Sequence, residues 1–268
     1  MGSTAPTVEP ISTPAFSEWD DSSTSIMESF CRAPALEMLH STGLFPPCKA
    51  LNILDNACGA GMLSELMLDG FELGMTGEVF ELALSDMDDK MVQRAKKRLE
   101  SKGVQADVQC ADSQNLPFKD ATFDAVLTNM AIQLMPEGAK AIKEAHRVLV
   151  PSGTFAYTAW QRHGFLASIA AACPSFVPPK FLDNPLSTVP GAISTLEEIG
   201  FEDVKAEVID TVLEWESPEE TVRQVGMVGA TLLAEGREEA WLRKLKDEFG
   251  EGKVTLRSQA LVVTAKKA

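Results

Sequence analysis

Residues 50–67, with the sequence ALNILDNACGAGMLSELM, constrain the fold of this chain more than any other segment. Leu51, Ile53 and Leu54 form an apolar run typical of a buried strand, and the run ends at the carboxylate of Asp55. An amphipathic helix begins shortly afterwards, and the turn before it consists of small residues: Ala57, Cys58, Gly59, Ala60 and Gly61. The segment therefore predicts the first strand, turn and helix of an open α/β sheet.

A corner of this kind is suited to a nucleotide-like ligand, because a helix N-terminus offers unpaired N–H groups and glycines let the backbone approach closely. A dinucleotide fingerprint needs a third small residue where this chain has Ser64, which fits poorly. Asp55 would repel a pyrophosphate but attract the sulfonium and ammonium of S-adenosylmethionine. The sign of the charge favours that cofactor, and the alternative is a corner that binds no ligand.

Two further strand ends carry acidic residues. The predicted second strand, Val79 to Leu84, leads to Asp86, and a helix follows with Asp88 as its N-cap. The third strand leads to Asp112. A carboxylate after the second strand is placed to bind a ribose diol, and one after the third can accept a hydrogen bond from an adenine amine.

The remaining pattern continues the alternation of strands and helices. A helical segment begins near Ser25 and is expected to break at Pro34. The later elements are a fourth strand in FDAVLTNMA, a fifth in TFAYTAW, a helix over 192–199, a strand over 204–213, a helical stretch over 218–249 and a final strand in VTLRSQALVVTAKK. This order predicts a mostly parallel seven-stranded sheet with an antiparallel terminal strand and helices on both faces.

Five motifs in order, DNACGAG, SDMDDKM, ADSQNLPF, FDAVLTNMAIQ and HRVLVPSGTFAYTAW, resemble those of the class I S-adenosylmethionine-dependent methyltransferases. The likeness is to their small-molecule branch, including fungal secondary-metabolite and dithiol S-methyltransferases. It implies a Rossmann-like fold, S-adenosyl-L-methionine as cofactor and S-adenosyl-L-homocysteine as product. The implied cofactor contacts are Asp55, Gly59, Gly61, Asp86, Met87, Asp112, Ser113 and Asn129, with Ala57 and Cys58 in the same turn. Ala57 departs from the family, many of whose members have glycine there.

The sequence therefore predicts methyl transfer to a sulfur, oxygen or nitrogen atom of a small, partly apolar metabolite, in secondary metabolism. Two alternatives use the same scaffold. One is a pericyclase or cyclase that keeps the cofactor only as a positive charge, and the other is a non-catalytic regulator.

Methyl transfer needs a general base only when the acceptor must first lose a proton. His163 follows the fifth strand and is the candidate base, with an exposed loop histidine as the alternative interpretation. The candidate substrate pocket draws on irregular segments beyond the strand ends: Phe16, Trp19, Met130, Ile132, Trp160, Phe165 and Met227.

Residues 1–24 are rich in Ser, Thr and Pro, and we expect a flexible segment there. Phe16 and Trp19 could close over the site as a lid, or the segment could dock on the surface. Residues 25–268 are expected to form one methyltransferase domain, with substrate-specificity elements at about 160–190 and 216–250.

The composition of the chain argues against several classes of binding partner. The net charge of −15 argues against nucleic acid and against an anionic membrane surface. The longest strongly apolar run, 165–173, is too short to span a bilayer. Five cysteines without ligand spacing predict a reducing, cytoplasmic location and no metal. No pattern in the chain assigns an oligomeric state.

Overall fold

A computed structural model describes residues 19–44, 50–72, 81–229, 232–233 and 236–268. Its strands are β1 (Asn52–Asn56), β2 (Glu81–Asp86), β3 (Asp107–Cys110), β4 (Phe123–Thr128), β5 (Leu149–Arg162), β6 (Phe201–Trp215) and β7 (Val254–Lys267). They form one seven-stranded sheet in the order β3-β2-β1-β4-β5-β7-β6. β1 to β5 pair in parallel, whereas β7 pairs antiparallel with both β5 and β6.

Six strands consequently run in one direction and only β7 runs against them. The C-termini of β1 to β6 therefore meet at one border of the sheet, which we call the carboxyl edge. This is the border at which open α/β sheets bind their ligands.

The helices of the described residues are α1 (Asp21–Thr42), α2 (Met62–Glu72), α3 (Asp89–Ser101), α4 (Gly138–Val148), α5 (Gly164–Ala172), α6 (Val189–Ile199), α7 (Pro218–Val228) and α8 (Arg237–Phe249). Short 3₁₀ turns lie at Ile132–Leu134, Lys180–Asp183 and Pro185–Ser187. In this part of the chain, no helix is both long and apolar enough to cross a membrane.

Alternation along the strands divides the core into two layers. Ile53 and Leu84 pack with α1, α2, α3, α5, α7 and α8, whereas their neighbours Leu54 and Ala83 pack with α4 and α6. Successive strand side chains point to opposite faces of a sheet, so the two clusters cover its two faces. The predicted fold class is confirmed: a Rossmann-like, mostly parallel sheet with helices on both faces.

Several predicted boundaries were wrong. α1 continues through Pro34, because Ala35 and Met38 on its next turn are fully buried against the sheet. The predicted helical stretch over 218–249 is two helices, since α7 ends at Val228 and α8 begins only after Gly236, which is left-handed. β5 begins at Leu149, earlier than predicted, where the chain passes from α4 directly into pairing with β4.

Candidate active site

Asp55 lies in β1 at the carboxyl edge and is only 1% exposed. Its Oδ2 accepts hydrogen bonds from the backbone N–H and the hydroxyl of Ser64, at 3.1 and 2.7 Å. Its Oδ1 is buried and has no partner among the described residues. Burial raises the pKa of Asp55 to about 7. A buried carboxylate with a free oxygen matches the cationic end of S-adenosylmethionine, so this residue fits the implied cofactor.

The turn after β1 uses left-handed backbone at three positions. Gly59 and Gly61 have φ angles of 54° and 85°, and Ala57 has 55°. A Cβ on Gly61 would lie 3.3 Å from the Cβ of Ala95 in α3, so glycine lets the turn pack closely against that helix. The left-handed conformation of Ala57 explains why glycine suits this position better.

Asp86 closes β2 and lies beside this turn. Its Oδ2 accepts a hydrogen bond from the backbone N–H of Gly59 at 2.8 Å, and its Oδ1 accepts one from Asp88 at 2.9 Å. Burial raises the pKa of Asp86. Met87, the next residue, is 59% exposed although it is apolar, so its side chain is accessible to a ligand at this edge.

A buried polar network lies under the same edge, and sequence reasoning missed most of it. The Oδ1 of Asn56 accepts hydrogen bonds from the hydroxyls of Ser85 and Ser113, at 3.2 and 2.9 Å, and its Nδ2 donates to Thr128 at 3.3 Å. These residues end β1, β2 and β4 or follow β3. Polar residues at consecutive strand ends are the signal that could have revealed the network. Asp112, in contrast, is exposed and accepts hydrogen bonds from Gln114.

Asn129 follows the end of β4 and connects it with β5 and with α1. Its Oδ1 accepts a hydrogen bond from the hydroxyl of Thr158 in β5 at 2.6 Å, and its Nδ2 donates to the carbonyl of Cys31 in α1 at 3.5 Å. The Thr158 hydroxyl also accepts from the backbone N–H of Met130 at 2.9 Å. α1 therefore lies over the carboxyl edge at the end of β4 and beside the adjoining part of β5.

Beside this contact lies an aromatic cluster formed by Phe30, Trp160, His163, Phe165 and Trp215. The His163 ring is 4.5 Å from Trp160 and 4.0 Å from Phe165, between ring centroids. Phe30 of α1 is 5.8 Å from both Phe165 and Trp215. All five side chains are buried. Trp160 lies near the end of β5, His163 and Phe165 follow that strand, Trp215 ends β6, and Phe30 faces them from α1.

His163 is not an exposed loop residue, so that alternative interpretation was wrong. It is 4% exposed at the N-terminus of α5, and its Nδ1 has no hydrogen-bond partner among the described residues. Burial lowers its pKa to about 3, so the imidazole is neutral at neutral pH.

The structure gathers some of the predicted pocket residues and separates others. Met130 is buried in the same core layer as Trp160 and Phe165, and Trp19 packs against that layer. Ile132 lies in the layer on the opposite face of the sheet, where helices cover it. Met227 is half-buried on α7. Phe16 lies outside the described residues.

The cysteines show no nucleophilic or metal-binding arrangement in the described ranges. Burial raises the pKa of Cys58 well above its usual value, which disfavours a thiolate in the turn. Cys31, Cys58, Cys110 and Cys173 are free thiols. Within the same ranges, no group of three or more His, Cys, Asp or Glu residues could hold a metal ion.

Part of the chain is similar to known proteins. Residues 54–157 match the family model described as methyltransferase domain. The chain is 39% identical over 101 residues to a ubiquinone/menaquinone biosynthesis C-methyltransferase of Chromobacterium violaceum. The aligned residues cover 38% of this chain and 39% of the relative. The chain spans about half or less of the length of the curated relatives that it matches.

Solved structures share the fold. Phosphoethanolamine N-methyltransferase 2 of Haemonchus contortus, in complex with phosphomonomethylethanolamine and S-adenosylhomocysteine, is 17% identical with a TM-score of 0.57, over 91% of this chain and 57% of that chain. The [4+2]-cyclase SpnF is also 17% identical, with a TM-score of 0.53, over 90% of this chain and 81% of that one. Identities this low show the fold alone.

The family match and the fold agree with each other. Residues 54–157 match a methyltransferase domain, and the seven-stranded sheet to which they belong has the fold of the methyltransferase structures.

Proposed function

We propose that the protein transfers a methyl group from S-adenosylmethionine to a small, partly apolar molecule. The observation that carries the proposal is that two different sites lie side by side along the carboxyl edge. We call them the acidic half and the aromatic half. Acidic residues and the glycine turn lie at the ends of β1 and β2, whereas the aromatic cluster lies at the ends of β5 and β6.

The acidic half suits the cofactor. Asp55 offers a buried, unpaired oxygen to a cationic group, and Asp86 lies at the strand end where Rossmann-like folds bind a ribose diol. Met87 and Ser113 follow β2 and β3 and would lie along the adenosine. Asn129, between the two halves, would lie near the transferable methyl group.

The aromatic half suits an apolar acceptor. The bound cofactor supplies a methyl carbon activated by its sulfonium. An acceptor lone pair forms the new bond to that carbon while the carbon–sulfur bond breaks, and any acceptor proton passes to solvent. Holding the two molecules in line supplies most of the acceleration that such a displacement needs.

His163 remains the candidate base from sequence, but its environment disfavours that role. A group with a pKa of about 3 is a poor proton acceptor at neutral pH. We therefore propose an acceptor that ionises readily, such as a thiol, ahead of an amine or an alcohol. The fungal dithiol branch and secondary metabolism agree with this choice but rest on the sequence resemblance.

Incubation with deuteromethyl-labelled S-adenosylmethionine and a metabolite extract tests the proposal. We expect one labelled product, and its fragmentation distinguishes a sulfur, oxygen or nitrogen acceptor from a carbon acceptor. Asp55→Asn should abolish the labelling, whereas Asp89→Asn, an exposed change of the same charge, should not. Consumption of an extract component without labelling would instead indicate a cyclase. If no component were labelled or consumed, the protein would be a regulator.

A further inference from the structure

Trp215 is a buried polar residue that the sequence did not single out. It ends β6 at the carboxyl edge and is 4% exposed. Its Nε1 has no hydrogen-bond partner among the described residues. An indole N–H can only donate, so it requires an oxygen, nitrogen or sulfur acceptor to offset its lost hydration.

The aromatic cluster contains a second buried nitrogen without a hydrogen-bond partner among the described residues, the Nδ1 of His163. From His163, whose Nδ1 is also unpaired, the rings continue through Phe165 and Phe30 to Trp215, with each pair of neighbours 4.0 to 5.8 Å apart. Buried polar atoms without partners are rare in folded proteins, and two in one apolar cluster indicate a place built for a polar ligand.

We infer that Trp215 and His163 are positioning residues of the acceptor site and that this site takes a flat aromatic ring bearing a thiol or a phenolic hydroxyl. The inference rests on the proposed function. Aromatic walls bury a flat ring well, and Trp215 would donate a hydrogen bond to one of its oxygen or sulfur atoms.

Phe30 is the movable wall of this site. Its ring is only 5.8 Å from both Phe165 and Trp215, so a ligand ring can enter only if Phe30 turns aside. Pro34 lies one turn later in α1 and has no N–H, so the carbonyl of Phe30 lacks its usual helical hydrogen bond. This turn of α1 is therefore less firmly held than a regular one.

The test uses the full chain saturated with S-adenosylhomocysteine, with 2-naphthol and naphthalene as probes in fluorescence titrations. The wild type should bind 2-naphthol about tenfold more tightly than naphthalene, the gain expected from one or two hydrogen bonds. Trp215→Phe keeps an aromatic ring and should reduce that preference to within about twofold. The matched control is Trp241→Phe in α8, whose Nε1 already donates to Ser168 at 3.0 Å, and it should keep the preference.

His163 provides a second, independent pair of variants. Asn can place a polar atom near the position of Nδ1, whereas Leu cannot, so His163→Asn should retain most of the preference and His163→Leu should lose part of it. Because the imidazole stays neutral, the preference should not change between about pH 5 and pH 8, the range in which an ordinary histidine changes its charge.

The inference is overturned if the wild type binds neither probe, if it binds both equally, or if Trp215→Phe keeps the preference. Calorimetry with S-adenosylmethionine separates this failure from failure of the proposed function. A wild type that binds the cofactor but not 2-naphthol contradicts only the acceptor site, whereas one that does not bind the cofactor contradicts the proposed function.

Discussion

Asp86 accepts a hydrogen bond from the backbone N–H of Gly59, and the 2.8 Å contact joins the end of β2 to the glycine turn after β1. The carboxylate expected to bind the ribose therefore also fixes the turn that would surround the rest of the cofactor. Its other oxygen accepts from the N–H of Asp88, the N-cap of α3. One side chain thus couples two strand ends and a helix start.

Asp86→Asn should weaken S-adenosylmethionine binding by roughly tenfold to a hundredfold. The amide has one acceptor oxygen, so one of the two backbone N–H groups loses its charge-assisted hydrogen bond, each worth about 1.5–3 kcal/mol. Calorimetric titration measures the change. Asp89→Asn removes the same charge three residues away on an exposed position and should leave the affinity unchanged within twofold. Equal affinities for the two variants would show that the hydrogen bonds of Asp86 to the turn do not support cofactor binding.

The stability of the ligand-free protein should fall as pH rises, because of Asp55. Its pKa is about 7 in the fold, against about 3.9 in an unfolded chain, so between these values the folded state holds a proton that the unfolded state has lost. Unfolding free energy should therefore decrease by up to about 4 kcal/mol from pH 4 to pH 7 and then level off. Asp86, whose pKa burial also raises, adds to the same trend.

Urea unfolding at a series of pH values checks this, with Asp55→Asn as the control. The amide can still accept from Ser64 but does not ionise, so the variant should lose most of the slope and should be the more stable form above pH 7. Parallel curves for the two proteins would show that Asp55 ionises normally. Because cationic groups of the cofactor favour the charged carboxylate, binding should also release protons below pH 7.

Much of this site could be predicted from the sequence, because its polar residues come directly after apolar runs or before amphipathic helices. Asp55 and Asp86 were predictable because each ends an apolar run, and Asp88 because an acidic residue before an amphipathic helix is a typical N-cap; its side chain does accept from Lys90 and Met91. The mostly parallel sheet with one antiparallel terminal strand followed from the same alternation of elements and from the family motifs, whereas the order of the strands was not predicted.

The aromatic cluster was only partly predictable, because its members are far apart in the sequence. In the sequence, all the strands of the parallel part of the sheet lie between Phe30 and Trp215. The position of α1 across the carboxyl edge brings their ring centroids to within 5.8 Å of each other. The burial of His163 likewise depends on tertiary packing. The local sequence around it is typical of a loop, and Trp160 and Phe165 cover its ring in the folded protein. The passage of α1 through Pro34 likewise depends on tertiary packing.

The two glycines of the turn should differ in their sensitivity to alanine. Gly59→Ala adds only the strain of a left-handed alanine, about 1–2 kcal/mol, since nothing lies within 4 Å of the new Cβ. Gly61→Ala adds the same strain and brings its Cβ to 3.3 Å from Ala95, so it should destabilise the ligand-free protein by about 1 kcal/mol more. Chemical denaturation of both variants measures the difference. A Gly61→Ala protein as stable as Gly59→Ala would mean that α3 moves away from the turn without cost.

Ala57→Gly should stabilise the protein, although most substitutions of alanine by glycine do the opposite. Ala57 has a φ of 55°, and relieving that strain gains about 1–2 kcal/mol, which outweighs the roughly 0.4–1 kcal/mol of extra freedom that glycine has in the unfolded chain. We expect a net gain of about 0.5–1 kcal/mol in unfolding free energy. Ala60→Gly in the same turn is the control, because Ala60 is not left-handed and should lose stability. If Ala57→Gly were destabilising as well, the strain assigned to this turn would be absent, and the departure of this chain from the family glycine would have no energetic cost.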